Sequence, residues 1–299
     1  MNGLDGLLVN YRSKLNLLRK SVYMDFPQET SFETLAMCNA ACWFCPYPGL
    51  ERKGTKMPDE LIAKIISDLR DIPGAIPIYV SPFKVNEPLL DVRIFDIFGE
   101  LNSKLPNANL RMFTNGSPLN EKNIAKIAKI ERLEHLWISL NHHEEKEYER
   151  IMQLPLKKTL ENLDLLHRTK ASGDFAITVQ LSKVSEDETI DTEFCRFVAA
   201  RYPLFKYGVA PRSEWLGVVP NLVSNRKIPL VGCSRWFELS IVATGEASFC
   251  CMDGKSEYAI GDVSKSHVLE VYNNPEYRKF RERFVTRLEG SPCMSCTHF

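Results

Sequence analysis

Residues 31–45 read Ser31-Phe-Glu-Thr-Leu-Ala-Met-Cys38-Asn-Ala-Ala-Cys42-Trp-Phe-Cys45. A short strand-like run, 31–37, passes directly into three cysteines spaced C-x3-C-x2-C. Three thiolates this close can hold three corners of a [4Fe–4S] cube and leave the fourth iron without a protein ligand. A structural zinc site usually closes with four ligands, and here a fourth would have to come from far along the chain. A loop that follows a first strand is also where parallel barrels carry their active sites. Trp43 and Phe44 lie inside that loop, where an aromatic pair can pack over a bound adenine or simply into the core.

Downstream of this loop, strand-like runs alternate with amphipathic helices. Runs at 31–37, 76–80, 109–113, 136–140, 175–181 and Lys206–Ala210 predict six strands. The stretches 58–69, 92–105, 121–130, Leu156–Ala171 and 192–200 predict helices, the first opened by Pro58-Asp59-Glu60. Strands separated by helices imply a parallel sheet with right-handed crossovers. Six units fall short of the eight in a closed barrel of roughly 250 residues. The expected fold class is therefore α/β, a partial (β/α)6 TIM barrel, with a flat doubly wound sheet as the competing arrangement. Upstream, residues 1–30 predict a helical lead-in, with Leu7, Leu8, Tyr11, Leu15, Leu17 and Leu18 at roughly helical spacing.

The pattern changes after about Gly217. Runs at 236–242 and 246–250 flank Thr244-Gly245, a hairpin signal, and 268–288 predicts a helix. The expected division is 1–30 lead-in, 31–217 barrel, and 218–299 a small C-terminal α+β domain, a size that often needs a metal as a staple.

Composition narrows the function. The 299 residues carry 38 Lys plus Arg against 38 Asp plus Glu. Zero net charge offers no general basic field for nucleic acid. No run of 18 apolar residues is present, so no membrane span is expected, and residues 1–20 lack the apolar core of a signal peptide. A cytoplasmic location follows as the expectation. The nine cysteines are clustered at 38, 42 and 45, and at 233, 250, 251, 293 and 296, with Cys195 alone among Phe194, Phe197 and Val198 as a core residue. Clustering in a chain of this kind points to metal or redox chemistry rather than a disulfide framework. The hairpin and the returning helix bring Cys233 and Cys250 together with Cys293 and Cys296, a set that also suits a tetrahedral zinc site. Cys250 and Cys251 are neighbours at a strand end, where a regular strand aims only one of them at such a site.

In these residues the sequence resembles the radical S-adenosylmethionine (SAM) enzymes over about 30–215. Their hallmark is C-x3-C-x-aromatic-C after the first strand, and Phe44 stands at the aromatic position. The resemblance implies a [4Fe–4S] cluster on Cys38, Cys42 and Cys45 whose open iron chelates SAM. An electron from the cluster cleaves SAM to a 5′-deoxyadenosyl radical that takes a hydrogen atom from the substrate. Asn86-Glu87-Pro88 looks like the end of the Gly-Gly-Glu-Pro motif that binds the SAM amino group, with both glycines replaced. Thr114-Asn115-Gly116 matches a feature after the third strand, and Ser139, Asn141 and Gln180 resemble the ribose and carboxylate contacts.

Residues 218–299 are similar to the Twitch domain, the short relative of the SPASM domain. This implies one auxiliary [4Fe–4S] cluster on Cys233, Cys250, Cys293 and Cys296, with Cys250 chosen over Cys251 and Asp253 three residues on. Two [4Fe–4S] clusters and SAM are thus the implied cofactors. The likeness to aminocyclitol dehydrogenases implies oxidation of a small sugar or aminocyclitol, with the auxiliary cluster as electron acceptor and a one-electron reductant such as flavodoxin or ferredoxin as partner. Arg212, Glu214 and Lys84 are candidates for a substrate base, although each reads more simply as an ordinary ion pair or a solvated charge. The alternatives are peptide modification, a radical epimerase or decarboxylase of a sugar or nucleotide, and a zinc-binding interaction protein.

Overall fold

A computed structural model describes residues 3–219 and 230–296, with side chains from Tyr11 onward. The side chains of Leu7 and Leu8, part of the spacing that predicts the lead-in helix, lie outside the described residues. That helix, α1, spans Gly3–Arg19. Strands β1 (Glu29–Phe32), β2 (Ile78–Ser81), β3 (Ala108–Thr114), β4 (Leu133–Ser139), β5 (Thr178–Val184) and β6 (Lys206–Ala210) run parallel in chain order. Between them lie α2 (Asp59–Leu69), α3 (Ile94–Lys104), α4 (Glu121–Ile127), α5 (Glu145–Met152), α6 (Leu156–Ala171) and α7 (Glu188–Arg201). This is the expected partial barrel, and the six parallel strands in sequential order exclude the reordered sheet of a doubly wound fold.

Three further strands extend the same sheet. β7 (Glu238–Ile241) pairs parallel with β1, in the register Glu29↔Glu238 to Phe32↔Ile241. β8 (Glu246–Ser248) and β9 (Gly261–Asp262) follow antiparallel. Among the described residues the order is β6-β5-β4-β3-β2-β1-β7-β8-β9, with β6 and β9 at the open edges. The helix expected over 268–288 is instead two, α8 (Val268–Tyr272) and α9 (Pro275–Glu282). Asn274 caps the second by accepting from Glu276 N–H, and Pro275 takes its first position, where a missing N–H costs nothing.

The pleat sorts the side chains. Burial alternates along β3, β4 and β5. Leu110, Met112, Leu136, Ile138, Val179 and Leu181 join the helix residues Ile65, Ile97, Leu101, Ile124, Ile127, Leu163 and Leu166 in one core. Alternate positions face the inside of the barrel. Phe83, Phe113, Trp137 and His135 form a stacked row there, with neighbouring centroids 4.8–4.9 Å apart. Arg111 lies over the ring of Tyr79 at 3.6 Å and pairs with Glu29. Packing one face against helices leaves the other for polar work.

Leu136 is fully buried in the helix-facing layer. Leu136→Ala is expected to destabilise the fold by about 2–5 kcal/mol. Urea unfolding reads this as a lowered midpoint, and an unchanged midpoint would remove Leu136 from the core.

Candidate active site and auxiliary metal centre

The three-cysteine loop is pinned at its base before it carries any chemistry. Beyond β1, Ala36 N–H donates to Thr55 O at 2.8 Å, Gly54 N–H to Ala36 O at 2.8 Å and Met57 N–H to Thr34 O at 2.9 Å. Arg93 ties the same base together, donating to Thr34 O at 3.0 Å and Met57 O at 2.9 Å. Between these ties the loop closes a turn, with Cys45 N–H on Cys42 O at 3.0 Å. Two backbone amides point at thiols: Ala40 N–H at Cys38 Sγ, 3.4 Å, and Tyr47 N–H at Cys45 Sγ, 3.5 Å. Burial pushes Cys38 up to about 11 and Cys45 up to about 12, and it also raises Cys42, with Cys45 and Cys38 adding to the rise. The three thiols are thus near enough to act on one another.

Glu87 organises the strand-end loops around this set. Its N–H donates to Met37 O at 2.8 Å. Its carboxylate accepts from Thr114 Oγ1 at 2.8 Å, Asn115 N–H at 2.6 Å and Leu89 N–H at 3.2 Å. Asn115 in turn reaches Asn39 Oδ1 at 2.8 Å and lies 3.9 Å from Cys38 Sγ. Gly116 completes the turn at φ +79°, with Ile138 at 3.0 Å from where a Cβ would stand, so only glycine fits without strain. Asn141, at φ +49°, accepts from Val184 N–H at 2.9 Å and so joins the ends of β4 and β5. Gln180 donates to Ser182 at 3.3 Å on the inner face, and Ser139 is exposed at the end of β4. Pro88 opens the single helical turn that Glu87 caps, and Asn86 Oδ1 accepts from Lys84 N–H at 3.0 Å.

The candidates for a substrate base border these loops. Arg212 is buried with its guanidinium 4.1 Å over the Trp43 ring, and Trp215 Nε1–H donates to Phe44 O at 3.0 Å. The segment after β6 therefore folds onto the cysteine loop, with Glu214 within electrostatic reach of Arg212. Lys84 stands beside the Asn86-Glu87 turn, but its buried amine turns away, to Ser240 Oγ at 3.1 Å and Cys250 O at 3.3 Å. Nothing in the sequence signals that long-range contact.

The second set is assembled from three separated segments. Cys233 precedes a helical turn, Ser234–Phe237, Cys250 follows β8, and Cys293 opens the turn Cys293–Ser295 before Cys296. Burial raises Cys250, and Cys251, Cys233, Cys293 and Cys296 add to the rise. Burial pushes Cys293 up to about 12, with Cys233 and Cys296 adding to it. Cys251 is pushed up to about 11 by burial, but the charges around it belong to Arg235, Glu238, Lys84 and Glu29. The Cys250 thiol is thus within electrostatic reach of Cys233, Cys293 and Cys296. Asp253 holds the intervening turn by accepting from Phe249, Glu257 and Tyr258 N–H.

Donors surround this set. Trp236 Nε1–H donates to Cys293 Sγ at 3.3 Å, Tyr11 O–H to Cys233 Sγ at 3.8 Å, and Arg287 Nη1 lies 4.0 Å from Cys296 Sγ. Among the described residues no group of three or more His, Cys, Asp or Glu is arranged to hold a single metal ion. A tetrahedral zinc would draw its sulfurs to roughly 3.8 Å from one another. The fit to an anionic cluster rests on the donor set: clustered thiols with the buried Arg287 cation beside them.

The model of the Radical SAM superfamily matches residues 32–192, and that of SPASM, an iron-sulfur cluster-binding domain, matches 233–297. The chain belongs to the radical SAM superfamily of enzymes. Its cofactors are SAM and iron–sulfur clusters. Among known proteins it is similar to the S-adenosyl-L-methionine-dependent 2-deoxy-scyllo-inosamine dehydrogenase of Niallia circulans, 20% identical over 89% of this chain and 91% of that protein. In fold it is similar to BtrN in complex with AdoMet and 2-DOIA (TM-score 0.64, 16% identity, 91% of this chain and 93% of that one). It is similar also to Streptococcus suis SuiB bound to precursor peptide SuiA (TM-score 0.69, 14% identity, 99% and 75%). No described helix is long and apolar enough to cross a membrane.

Burial drives the Glu87 carboxyl up to about 7, against the opposing pull of its three donors. A value raised in the folded state means the native protein holds this proton more tightly than the unfolded chain. The resulting stabilisation is full below the ordinary carboxyl range and is lost as pH rises through about 7. Urea midpoints of the cluster-free protein should therefore fall between about pH 4.5 and about pH 7, and Glu87→Gln should remove that component. An identical slope in the variant would assign the titration to another group.

Proposed function

We propose that this enzyme dehydrogenates a small hydroxylated molecule of the sugar or aminocyclitol type. The observation that carries the reading is the difference between the two thiol sets: three cysteines in the loop after β1, four where β8 meets the final turns. A three-thiolate cluster leaves one iron for SAM, while a four-thiolate cluster has no vacancy and suits electron transfer. When bound, the first cluster and SAM supply the carbon-centred radical.

The chain's own residues bind and orient. Phe44, Asn86, Glu87, Pro88, Thr114, Asn115, Ser139, Asn141 and Gln180 make up the SAM region. Within it Glu87 acts by shaping the loops, since Thr114, Asn115 and Leu89 already engage its carboxylate. The inner face offers hydroxyls, amides and paired charges, among them Ser31 on Ser240 at 3.1 Å, Gln180, and Arg111 with Glu29. Together with the stacked Phe83, Phe113 and Trp137 rings on that face, these groups suit a small polyhydroxylated ring, whose hydroxyls need partners and whose C–H faces pack on aromatic rings. Oxidation of an alcohol carbon to a ketone removes two electrons and two protons: one electron and one proton would leave together as the abstracted hydrogen atom, the hydroxyl proton would go to a base, and a cluster held by Cys233, Cys250, Cys293 and Cys296 would supply the acceptor for the remaining electron. The dehydrogenase relative, matched over most of both chains, supports this reading. A one-electron reductant such as flavodoxin or ferredoxin serves the first cluster. The likeness to SuiB keeps peptide modification as the second reading.

Anaerobic reconstitution should load about eight irons per chain, and Cys38, Cys42 and Cys45 changed together to Ala should leave about four and abolish SAM cleavage. Retained cleavage would sink the assignment of the first cluster.

Cys293→Ala with Cys296→Ala should leave 5′-deoxyadenosine formation and deuterium transfer from labelled sugar or aminocyclitol intact while the oxidised product falls sharply. Full yield of a product two mass units lighter in that variant would eliminate the electron relay. A wild-type product of unchanged mass would favour epimerisation, and turnover of a peptide alone would favour the second reading.

A further inference from the structure

The two thiol sets differ in the groups that touch their sulfurs. The donors to the first set are the neutral amides of Ala40, Tyr47 and Asn115, and the buried Arg212 guanidinium of that region lies over the Trp43 ring rather than on a sulfur. Around the second set stand two buried cations. Arg287, 1% exposed, places Nη1 4.0 Å from Cys296 Sγ. Lys84, 5% exposed, reaches across from the loop after β2 and donates to the carbonyl of Cys250 at 3.3 Å. Trp236, 1% exposed, adds a neutral donor to Cys293 Sγ at 3.3 Å.

Burying a charge is expensive unless an opposite charge accompanies it. Four thiolates outweigh the positive charge of the core they ligate, so a cluster here is an anion, and reduction adds one electron to it with no proton taken up. Fixed positive charge and hydrogen bonds to sulfur stabilise that reduced state more than the oxidised one. We infer that Arg287 and Lys84, seconded by Trp236, are positioning residues that raise the reduction potential of the auxiliary cluster and so fit it to accept an electron. The inference rests on the reading that Cys233, Cys250, Cys293 and Cys296 hold an iron–sulfur cluster.

The test uses the full-length chain with Cys38, Cys42 and Cys45 changed to Ala, so that only the auxiliary cluster gives a signal. Iron content and the visible spectrum come first. Absence of iron from this parent overturns the underlying reading, and the inference falls with it. With iron present, an EPR-monitored reductive titration is run on the parent and on Arg287→Gln, Arg287→Lys, Lys84→Met and Trp236→Phe. The exposed Lys265→Met serves as a control for net charge. Arg287→Gln and Lys84→Met should shift the midpoint to lower potential, and Trp236→Phe should shift it by a smaller step in the same direction. Arg287→Lys and the Lys265 control should stay near the parent. Should Arg287→Gln fail to hold iron, Lys84→Met and Trp236→Phe carry the comparison. Midpoints that match the parent in the variants that retain iron, or a shift no larger than that of the Lys265 control, would overturn the inference.

Discussion

β1 is four residues long, and both halves of the chemistry depend on it. It pairs with β2 on one side and with β7 on the other, both parallel. Its exit leads into the first cysteine loop, while β7 and β8 lead to Cys250. Glu33, fully buried just past the strand, fixes the relation. It accepts from Arg52 in the cysteine loop at 2.7 and 3.2 Å, and from Ala243 N–H in the hairpin after β7 at 3.2 Å. Its own N–H donates to Ile241 O at 2.9 Å. Removing one partner of such a buried pair typically costs about 3–5 kcal/mol, because the other charge is left without compensation. One carboxylate thus ties the base of the first loop to the strand that carries the second thiol set.

Glu87 does for the strand-end loops what Glu33 does for the sheet. It links Met37, Thr114 and Asn115, and through Asn115 it reaches Asn39 and the neighbourhood of Cys38. The price of this order is a set of thiols that burial holds in the protonated state. Ligation needs thiolates, so a cluster assembled at either set would release those protons, and its binding energy would become part of the folding energy. The two sites meet that requirement differently. The first has backbone amides close to the loop itself, whereas beside the second stand Lys84, from the distant loop after β2, and Arg287, from the segment just before Cys293.

This difference explains what the sequence discloses. The six barrel strands were legible because their signals are local, apolar runs bounded by turns, but the first is misplaced: the run 31–37 predicts a strand up to the cysteines, whereas β1 is Glu29–Phe32 and the backbone of Thr34 and Ala36 bonds instead to Met57, Thr55 and Gly54. Cys38, Cys42 and Cys45 stand out for the same reason of locality, within eight residues of one another. Leu156–Ala171 and Lys206–Ala210 fall where periodicity and strand-like composition put them. α5 was not anticipated, since Glu144 to Arg150 is almost wholly charged and only Tyr148, Ile151 and Met152 are buried along that helix. The division of 268–288 at Asn273-Asn274-Pro275 was readable in principle, from a capping Asn followed by Pro. The parallel pairing of β7 with β1 joins residues about 209 apart, and no periodicity encodes it. Lys84 illustrates the same limit: its position beside Asn86 and Glu87 suggested the SAM side, and its side chain serves the other.

The second thiol set shows why such contacts matter. α1 does more than lead into the barrel: Leu15 is part of the core, Tyr11 reaches Cys233 and Ser234, and Arg19 donates to Arg281 O at 2.8 Å and to Phe284 O. Gly232 leaves room for this packing, since a Cβ there would stand 2.5 Å from Leu15 and 2.7 Å from Trp236. Trp236 packs edge-on against Phe280, which meets Phe249 and Phe284. The shell around four cysteines therefore draws on α1, the loop after β2, the turn before β7 and the segment after α9. Each piece is too short to bury an apolar core alone, and their ordering carries an entropy cost that grows with the number of separate segments. A cluster held at their meeting point by Cys233, Cys250, Cys293 and Cys296, as proposed, would offset that cost, so the same four ligands would serve both the stability of this region and its chemistry.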